Sequence, residues 1–473
     1  MIFLPVVFFI YWFACKKLKW QNLFILLASY IFYGWWDWRF LILIAITSFS
    51  SYLSGLFIQQ YEGNRKAQRA VCVTNAVVNL GILAMFKYFG FFMDSLNALL
   101  TGLGVTMDWP TVNIILPVGI SFYTFQALSY SIDVYKDKIK PTRDIVAFFG
   151  YISFFPQLVA GPIERATNLL PQILKKRAFD YSTAVDGLRQ MLWGFFKKLI
   201  IADTCAEVVN PIWDNIEGQS GISLFLGLAL FAFQIYADFS GYSDIAIGSA
   251  KLFGIKLSDN FRVPFLSRNM REFWRRWHIS LIGWFTQYVY YPLGGSRCSQ
   301  SRNILNVLIV FTLSGLWHGA SWTYVLWGFY NGLLFIPLIL LPSQHYRDTV
   351  AHGRYLPTVR ELFSMILTFV LFILGLIMFR APDFQHIVDY CHQMFSLSFF
   401  GRQGLTMKMA TTLLWCAGLT LVEWVQREKQ HVLQIDGYRI FGSSAVRLSL
   451  YAILVCLIFY FAGQVQTFIY FQF

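Results

Sequence analysis

An all-α, membrane-embedded fold is predicted by three features of the sequence: its composition, the length of its apolar runs and the placing of its charges. Of the 473 residues, 57% are hydrophobic and 13% charged, too few polar side chains to wet the surface of a soluble globule. Apolar stretches occupy residues 1–14, 41–58, 71–93, 113–132, 221–237, 304–342, 361–379 and 448–470. Several reach the ~20 helical residues needed to cross ~30 Å of hydrocarbon. The formal net charge of +13 comes from short basic clusters between these runs. That is the pattern of cytoplasmic loops facing anionic lipid, and it argues against a nucleic-acid surface.

Taken in order, the first stretch has no leading basic region and is followed by Cys15-Lys16-Lys17-Leu18-Lys19, which offers no small-residue cleavage site, so it reads as a retained helix. Basic clusters then set sidedness: Lys16/Lys17/Lys19 inside, the Trp35-Trp36-Asp37-Trp38 turn outside, Arg65/Lys66/Arg69 inside, residues 94–112 outside and Lys136/Lys138/Lys140/Arg143 inside. Ile145 to Val159 is apolar but short for a crossing, as expected of a re-entrant segment buried in protein. The run Arg262 to Arg276, then Arg347/Arg354/Arg360 and Arg427/Lys429, fall inside and leave the C-terminus outside, for roughly 10 to 12 crossings. With no linker, repeat or low-complexity tract, residues 1–473 read as a single polytopic domain.

Four segments carry candidate chemistry. Arg271-Glu272-Phe273-Trp274-Arg275-Arg276-Trp277-His278-Ile279-Ser280 reads as an amphipathic interfacial helix, with Phe273, Trp277, Leu281 and Trp284 as an aromatic stripe and His278 on its border. It serves either as a headgroup-level anchor or to meet an anionic ligand. In Leu313-Ser314-Gly315-Leu316-Trp317-His318-Gly319-Ala320-Ser321-Trp322, an uncharged run brings His318 to membrane depth, where an ionisable group either works or bonds across helices. A neutral imidazole suits that depth and accepts a hydroxyl proton near neutral pH.

In the third segment, Tyr236-Ala237-Asp238-Phe239-Ser240-Gly241-Tyr242-Ser243-Asp244, the acids Asp238 and Asp244 can orient an imidazole, line a polar passage or brace a broken helix. Phe155-Pro156-Gln157-Leu158-Val159-Ala160-Gly161-Pro162-Ile163-Glu164-Arg165 must be irregular because of its prolines, and carries an ion-pair candidate. Seven scattered cysteines form neither a disulfide framework nor a zinc site. The recurrence Asp383, His386, Asp389, His392 drifts around a helix, so no metal site is expected.

These segments resemble the membrane-bound O-acyltransferase (MBOAT) family, in the branch typified by the alginate O-acetyltransferase membrane subunit. The resemblance is carried, in order, by Leu116-Pro117-Val118-Gly119-Ile120-Ser121-Phe122-Tyr123-Thr124-Phe125-Gln126, Ala160-Gly161-Pro162-Ile163, Asp238 to Asp244, Phe273-Trp274-Arg275-Arg276-Trp277-His278, Tyr291-Pro292-Leu293-Gly294-Gly295 and Trp317-His318-Gly319. It runs from Ala28 to about Arg380; residues 381–473 are C-terminal helices of uncertain role.

The resemblance implies the MBOAT fold, with helices around a central tunnel where a cytoplasmic thioester donor and an outer acceptor meet. It implies catalytic roles for His318 and His278, and polar or structural roles around the tunnel for Asp238, Ser240, Tyr242, Asp244 and Trp317. The expected donor substrate is acetyl-CoA, with no bound cofactor or metal; Arg271, Arg275 and Arg276 are candidates for its phosphates, although lipid phosphates would suit them equally. The implied acceptor is an extracytoplasmic polysaccharide such as alginate or another exopolysaccharide, reached with an SGNH-type acetyltransferase partner, in the bacterial inner membrane among its lipids. A D-alanyl donor, a peptidoglycan acceptor, or a transporter of an acyl donor or glycan precursor are the alternatives.

Overall fold

The computed structural model describes residues 2–105, 115–341, 346, 348–396, 399, 406–461 and 466–469, and among them every regular element is a helix. The chain forms two compact units, Met1–Gly187 with Ser249–Ser258 and Leu188–Gly248 with Asp259–Phe473.

Among the described residues, six helices are long and apolar enough to cross a membrane: Trp38–Gln60, Arg65–Gly102, Gly221–Leu252, Trp322–Leu340, Val359–Arg380 and Ser444–Phe461. The other segments read from the basic clusters differ in kind. The first apolar stretch is only the short helix Phe3–Phe9 continued by a π-turn, Ile10–Ala14, about 18 Å of rise. Ile120–Tyr135 spans 16 residues and buries Thr124, Gln126, Ser129, Ser131 and Asp133, an interior helix more than a lipid-facing one. The stretch 94–112, expected outside, begins within the helix Phe89–Gly102; residues 106–114 lie outside the described residues, as does Arg347.

In the first unit, the expected non-spanning segment folds as Ile145–Ser153 and Phe155–Leu158, broken at Phe154. Its Phe148, Tyr151, Ile152 and Phe154 are fully buried, so the interrupted backbone is sheltered by protein. Gln126 Nε2 donates to the Tyr151 carbonyl at 2.8 Å, and Tyr151 Oη returns a bond to the Gln126 carbonyl at 3.1 Å. Glu164, the ion-pair candidate, is buried and accepts from Asn168 Nδ2 at 2.6 Å and from the Ser258 backbone N–H.

The second unit is organised by charge. Helix Tyr181–Phe196 runs into a π-helical stretch, Lys197–Ala202, and then Asp203–Asp214, setting two buried lysines against helix Gly221–Leu252. Lys197 Nζ pairs with Asp244 at 2.6 Å and donates to Ser240 Oγ at 2.9 Å. Lys198 Nζ lies 2.9 Å from both Asp203 and Asp238 and donates to the Gln466 carbonyl at 3.0 Å. The Ile469 N–H donates to the other Asp238 oxygen at 2.7 Å, and Phe468 packs on Tyr242 with ring centroids 4.3 Å apart. A Cβ on Gly194 would stand 2.6 Å from the Gly241 carbonyl oxygen, so only glycine lets the two backbones come close enough for lysines and acids to meet. Gly221–Leu252 is continuous. The idea that Asp238 and Asp244 brace a broken helix is therefore corrected: they serve the lysines.

Removing one partner of a buried ion pair leaves the other charge desolvated, at about 3–5 kcal/mol. Lys198→Met should accordingly lower the thermal midpoint of the detergent-solubilised protein markedly. Adding Asp203→Asn and Asp238→Asn should recover most of the loss; a single variant as stable as wild type would refute the charge assignment.

Candidate active site

His318 ends the helix Gln300–His318, and the next helix, Trp322–Leu340, returns antiparallel beside it. The hairpin closes on glycines: a Cβ on Gly315 would overlap the Tyr324 carbonyl, and one on Gly328 the Phe311 carbonyl. Side-chain-free contact of this kind lets membrane helices approach closely. The His318 ring sits among aromatics, with Trp317 at 4.9 Å, Trp327 at 5.2 Å and Phe379 of helix Val359–Arg380 at 5.5 Å between centroids. It is 6% exposed.

The second histidine reaches the same place by another route. Met270–Trp274 and Ile279–Phe285 are separate short helices. Between them His278 adopts φ 45°, ψ 50°, a left-handed conformation that is strained for a residue with a side chain and is held only when its surroundings over-determine it. The expected continuous amphipathic helix is thus interrupted at His278. The segment is also interior, because Phe273, Trp274, Trp277 and His278 are all buried.

The kink is fixed by the backbone of residues 260–262. The Arg262 N–H donates to the Arg276 carbonyl at 3.0 Å, and the Ile279 N–H to the Asn260 carbonyl at 2.9 Å. The turned imidazole lies against Phe239 at 4.7 Å, Trp317 at 5.9 Å and His318 at 6.3 Å. Two imidazoles 40 residues apart in sequence therefore share one apolar enclosure. His278 lies outside the six spanning helices, and burial pushes its pKa down to about 3, so it stays neutral.

The remaining predicted residues distribute as follows. Trp317 touches both histidines, its ring centroid 5.9 Å from that of His278 and 4.9 Å from that of His318. Asp238, Ser240, Tyr242 and Asp244 lie at the lysine cluster on the helix that presents Phe239 to His278. Arg276 is spent on Glu272, 2.8 Å away, which Arg268 also pairs with at 3.0 Å. Arg271 donates to the Leu338 carbonyl at 2.5 Å near the end of helix Trp322–Leu340, and the exposed Arg275 to the Tyr346 carbonyl at 2.9 Å. The Tyr291-Pro292-Leu293-Gly294-Gly295 motif is a turn clamped by Asn306 Nδ2, which donates to the Leu293 and Gly295 carbonyls at 3.2 Å. Asp383 caps the helix Phe384–Met394 and His386 stacks on Trp213; no metal-binding group forms among the described residues.

Sequence reasoning missed Lys197 and Lys198, although two lysines inside an apolar run were a visible signal. It also missed Asn260, whose Oδ1 lies 3.1 Å from His278 Nδ1, and Trp274 and Trp327. The indole N–H groups of these two tryptophans are buried and have no hydrogen-bond acceptor among the described residues.

Comparison with known proteins agrees with this architecture. The family model for the membrane-bound O-acyltransferase family, MBOAT, matches residues 28–379. The chain is 36% identical over 418 residues to the probable alginate O-acetylase of Pseudomonas aeruginosa, covering 87% of this chain and 78% of that protein. It is 30% identical over 519 aligned positions to the peptidoglycan O-acetyltransferase of Helicobacter pylori, covering 100% and 95%. Against the teichoic acid D-alanyltransferase of Bacillus subtilis it is 26% identical over 299 residues, covering 59% and 72%. With its family model matched over most of its length and such relatives aligned across most of both chains, the protein belongs to the membrane-bound O-acyltransferase family and is a multi-pass membrane O-acyltransferase.

Proposed function

We propose that this enzyme takes acetyl from acetyl-CoA on the cytoplasmic side of a bacterial inner membrane for O-acetylation of an extracytoplasmic polysaccharide, with an SGNH-type acetyltransferase as partner. The observation that carries the reading is the pair His278 and His318, buried together among aromatic rings in an O-acyltransferase. Acetyl is favoured over D-alanyl because the relatives named for O-acetylation align over 87% and 100% of this chain, against 59% for the D-alanyltransferase. Alginate or a similar exopolysaccharide is the proposed acceptor, since the relative named for alginate is the more similar of the two.

In this mechanism His318 accepts the proton of the acceptor hydroxyl as its oxygen attacks the thioester carbonyl, and the CoA thiolate departs and is protonated. The developing negative charge on the carbonyl oxygen needs preorganised donors in a water-poor site. The acceptor-free indole N–H groups of Trp327 and Trp274 are suited to that task, and leaving such donors buried otherwise costs stability for no return. Arg271 and Arg275, which donate to the Leu338 and Tyr346 carbonyls, are the candidates to meet the CoA phosphates.

Full-length protein in nanodiscs, given radiolabelled acetyl-CoA and its SGNH-type partner, should release CoA thiol and pass label on. His318→Ala should lose about 10²- to 10⁴-fold in turnover; undiminished transfer would remove His318 as the base. Trp327→Phe keeps the ring and deletes the donor. It should cost about 10²- to 10³-fold in kcat, and an unchanged kcat would take the indole out of the reaction.

The neutral state of His278 makes a prediction about pH. A buried base whose pKa is depressed, here to about 3, does not change charge above roughly pH 4. His278→Gln should therefore lower the rate while leaving the shape of the pH–rate profile between about pH 5 and 8 unchanged. Loss of an acidic limb in this variant would show that His278 titrates in the working range.

A further inference from the structure

We propose that Asn260 is a positioning residue that fixes the tautomer of His278, so that this imidazole meets the reactants through Nε2 as a hydrogen-bond acceptor. The inference rests on the role given to His278 above and sharpens it, because an acceptor nitrogen cannot donate to a thioester carbonyl.

Three contacts to a side chain only 1% exposed carry the argument. The backbone N–H of Ser280 points at the Asn260 amide at 3.4 Å and Ser280 Oγ at 2.9 Å. A peptide N–H can only donate, so the amide atom it meets is the oxygen. On the other side Asn260 Nδ2 donates to Ser243 Oγ on helix Gly221–Leu252 at 3.1 Å, a contact compatible with that orientation. An amide oxygen only accepts. His278 Nδ1, 3.1 Å from it, must then carry the hydrogen, and a neutral imidazole has one N–H. The lone pair is left on Nε2.

The surroundings agree with a built arrangement. Asn260 also holds the strained backbone of His278 in place, since its carbonyl accepts the Ile279 N–H at 2.9 Å. One asparagine thus sets both the backbone turn that delivers the ring and the direction of its proton. Division of labour follows: His278 takes a hydrogen bond from a donor on a substrate, and polarisation of the carbonyl falls to other groups. Two substrate donors share that chemistry, the acceptor hydroxyl and an amide N–H of the pantetheine arm.

The test is a double-mutant cycle on the full-length protein in nanodiscs, reading CoA thiol release from acetyl-CoA in the presence of the SGNH-type partner. Asn260→Leu, similar in size but unable to accept, should slow the reaction about 10²-fold. Asn260→Asp, whose carboxylate accepts the same hydrogens, should restore it to within about tenfold of wild type. In a His278→Ala background Asn260→Leu should cause no further loss. A fall in kcat alone assigns Nε2 to the acceptor hydroxyl; a rise in the KM for acetyl-CoA assigns it to the pantetheine amide.

Equal losses from Asn260→Leu in both backgrounds, or an Asn260→Asp as slow as the leucine variant, would overturn the inference. If His278→Ala is slow while Asn260→Leu runs at full rate, Asn260 alone is excluded. If His278→Ala itself runs at full rate, the role of His278 fails and this inference with it. Should the leucine variant not fold, Asn260→Ala removes the acceptor without adding bulk and takes its place in the same cycle.

Discussion

Two lysines buried in an apolar helical unit constrain almost everything else in it. A desolvated ammonium is tolerable only when paired and hydrogen-bonded, so Lys197 and Lys198 require Asp244, Ser240, Asp203 and Asp238 at contact distance. That requirement explains the glycines at 194 and 241, which remove the side chains that would hold the two helices apart. It also explains why helix Gly221–Leu252 has a polar face in mid-course without breaking. Once the helix is seated in that register, Phe239 and Ser243 fall where the histidine pair needs them: Phe239 against His278 and Ser243 against Asn260.

His278 illustrates how an apolar protein can hold a basic group without charging it. His278 is neutral because burial makes its protonation costly, with the Phe239 ring against it and the Asn260 amide at its Nδ1. His318 is placed by the C-terminal end of one helix and the glycine contact that turns the chain into the next. The precision comes from rigid elements on several sides, which is what a reaction needs if reacting atoms are to be held near contact distance.

Much of this was legible in the sequence, for identifiable reasons. Long apolar runs report helices, and His318 inside one of them stands out because ionisable groups are costly there. The meeting of His278 with His318 was not legible. Helical periodicity through Phe273, Trp277 and Leu281 describes one continuous helix, whereas the real chain breaks at His278 because hydrogen bonds from residues 260–262 offset the strain of a left-handed residue. Asn260 gave no signal, since an asparagine in a connecting segment looks like any turn residue. Lys197-Lys198 was overlooked because adjacent lysines read as a loop, and only the fold brings them to Asp238 and Asp244 on a later helix.

The docking of residues 466–469 on the lysine cluster has a consequence for biogenesis. Asp238 takes a backbone hydrogen from Ile469, 231 positions further along the chain, and Lys198 is completed by a carbonyl 268 positions away. During synthesis these charges enter the bilayer long before their last partners exist. The nascent protein must pass through a stage in which the cluster is part-built, sheltered by water or by insertion machinery. Its final closure waits for residues 466–469, and a chain shortened before Gln466 would be delivered to the membrane permanently in that earlier state.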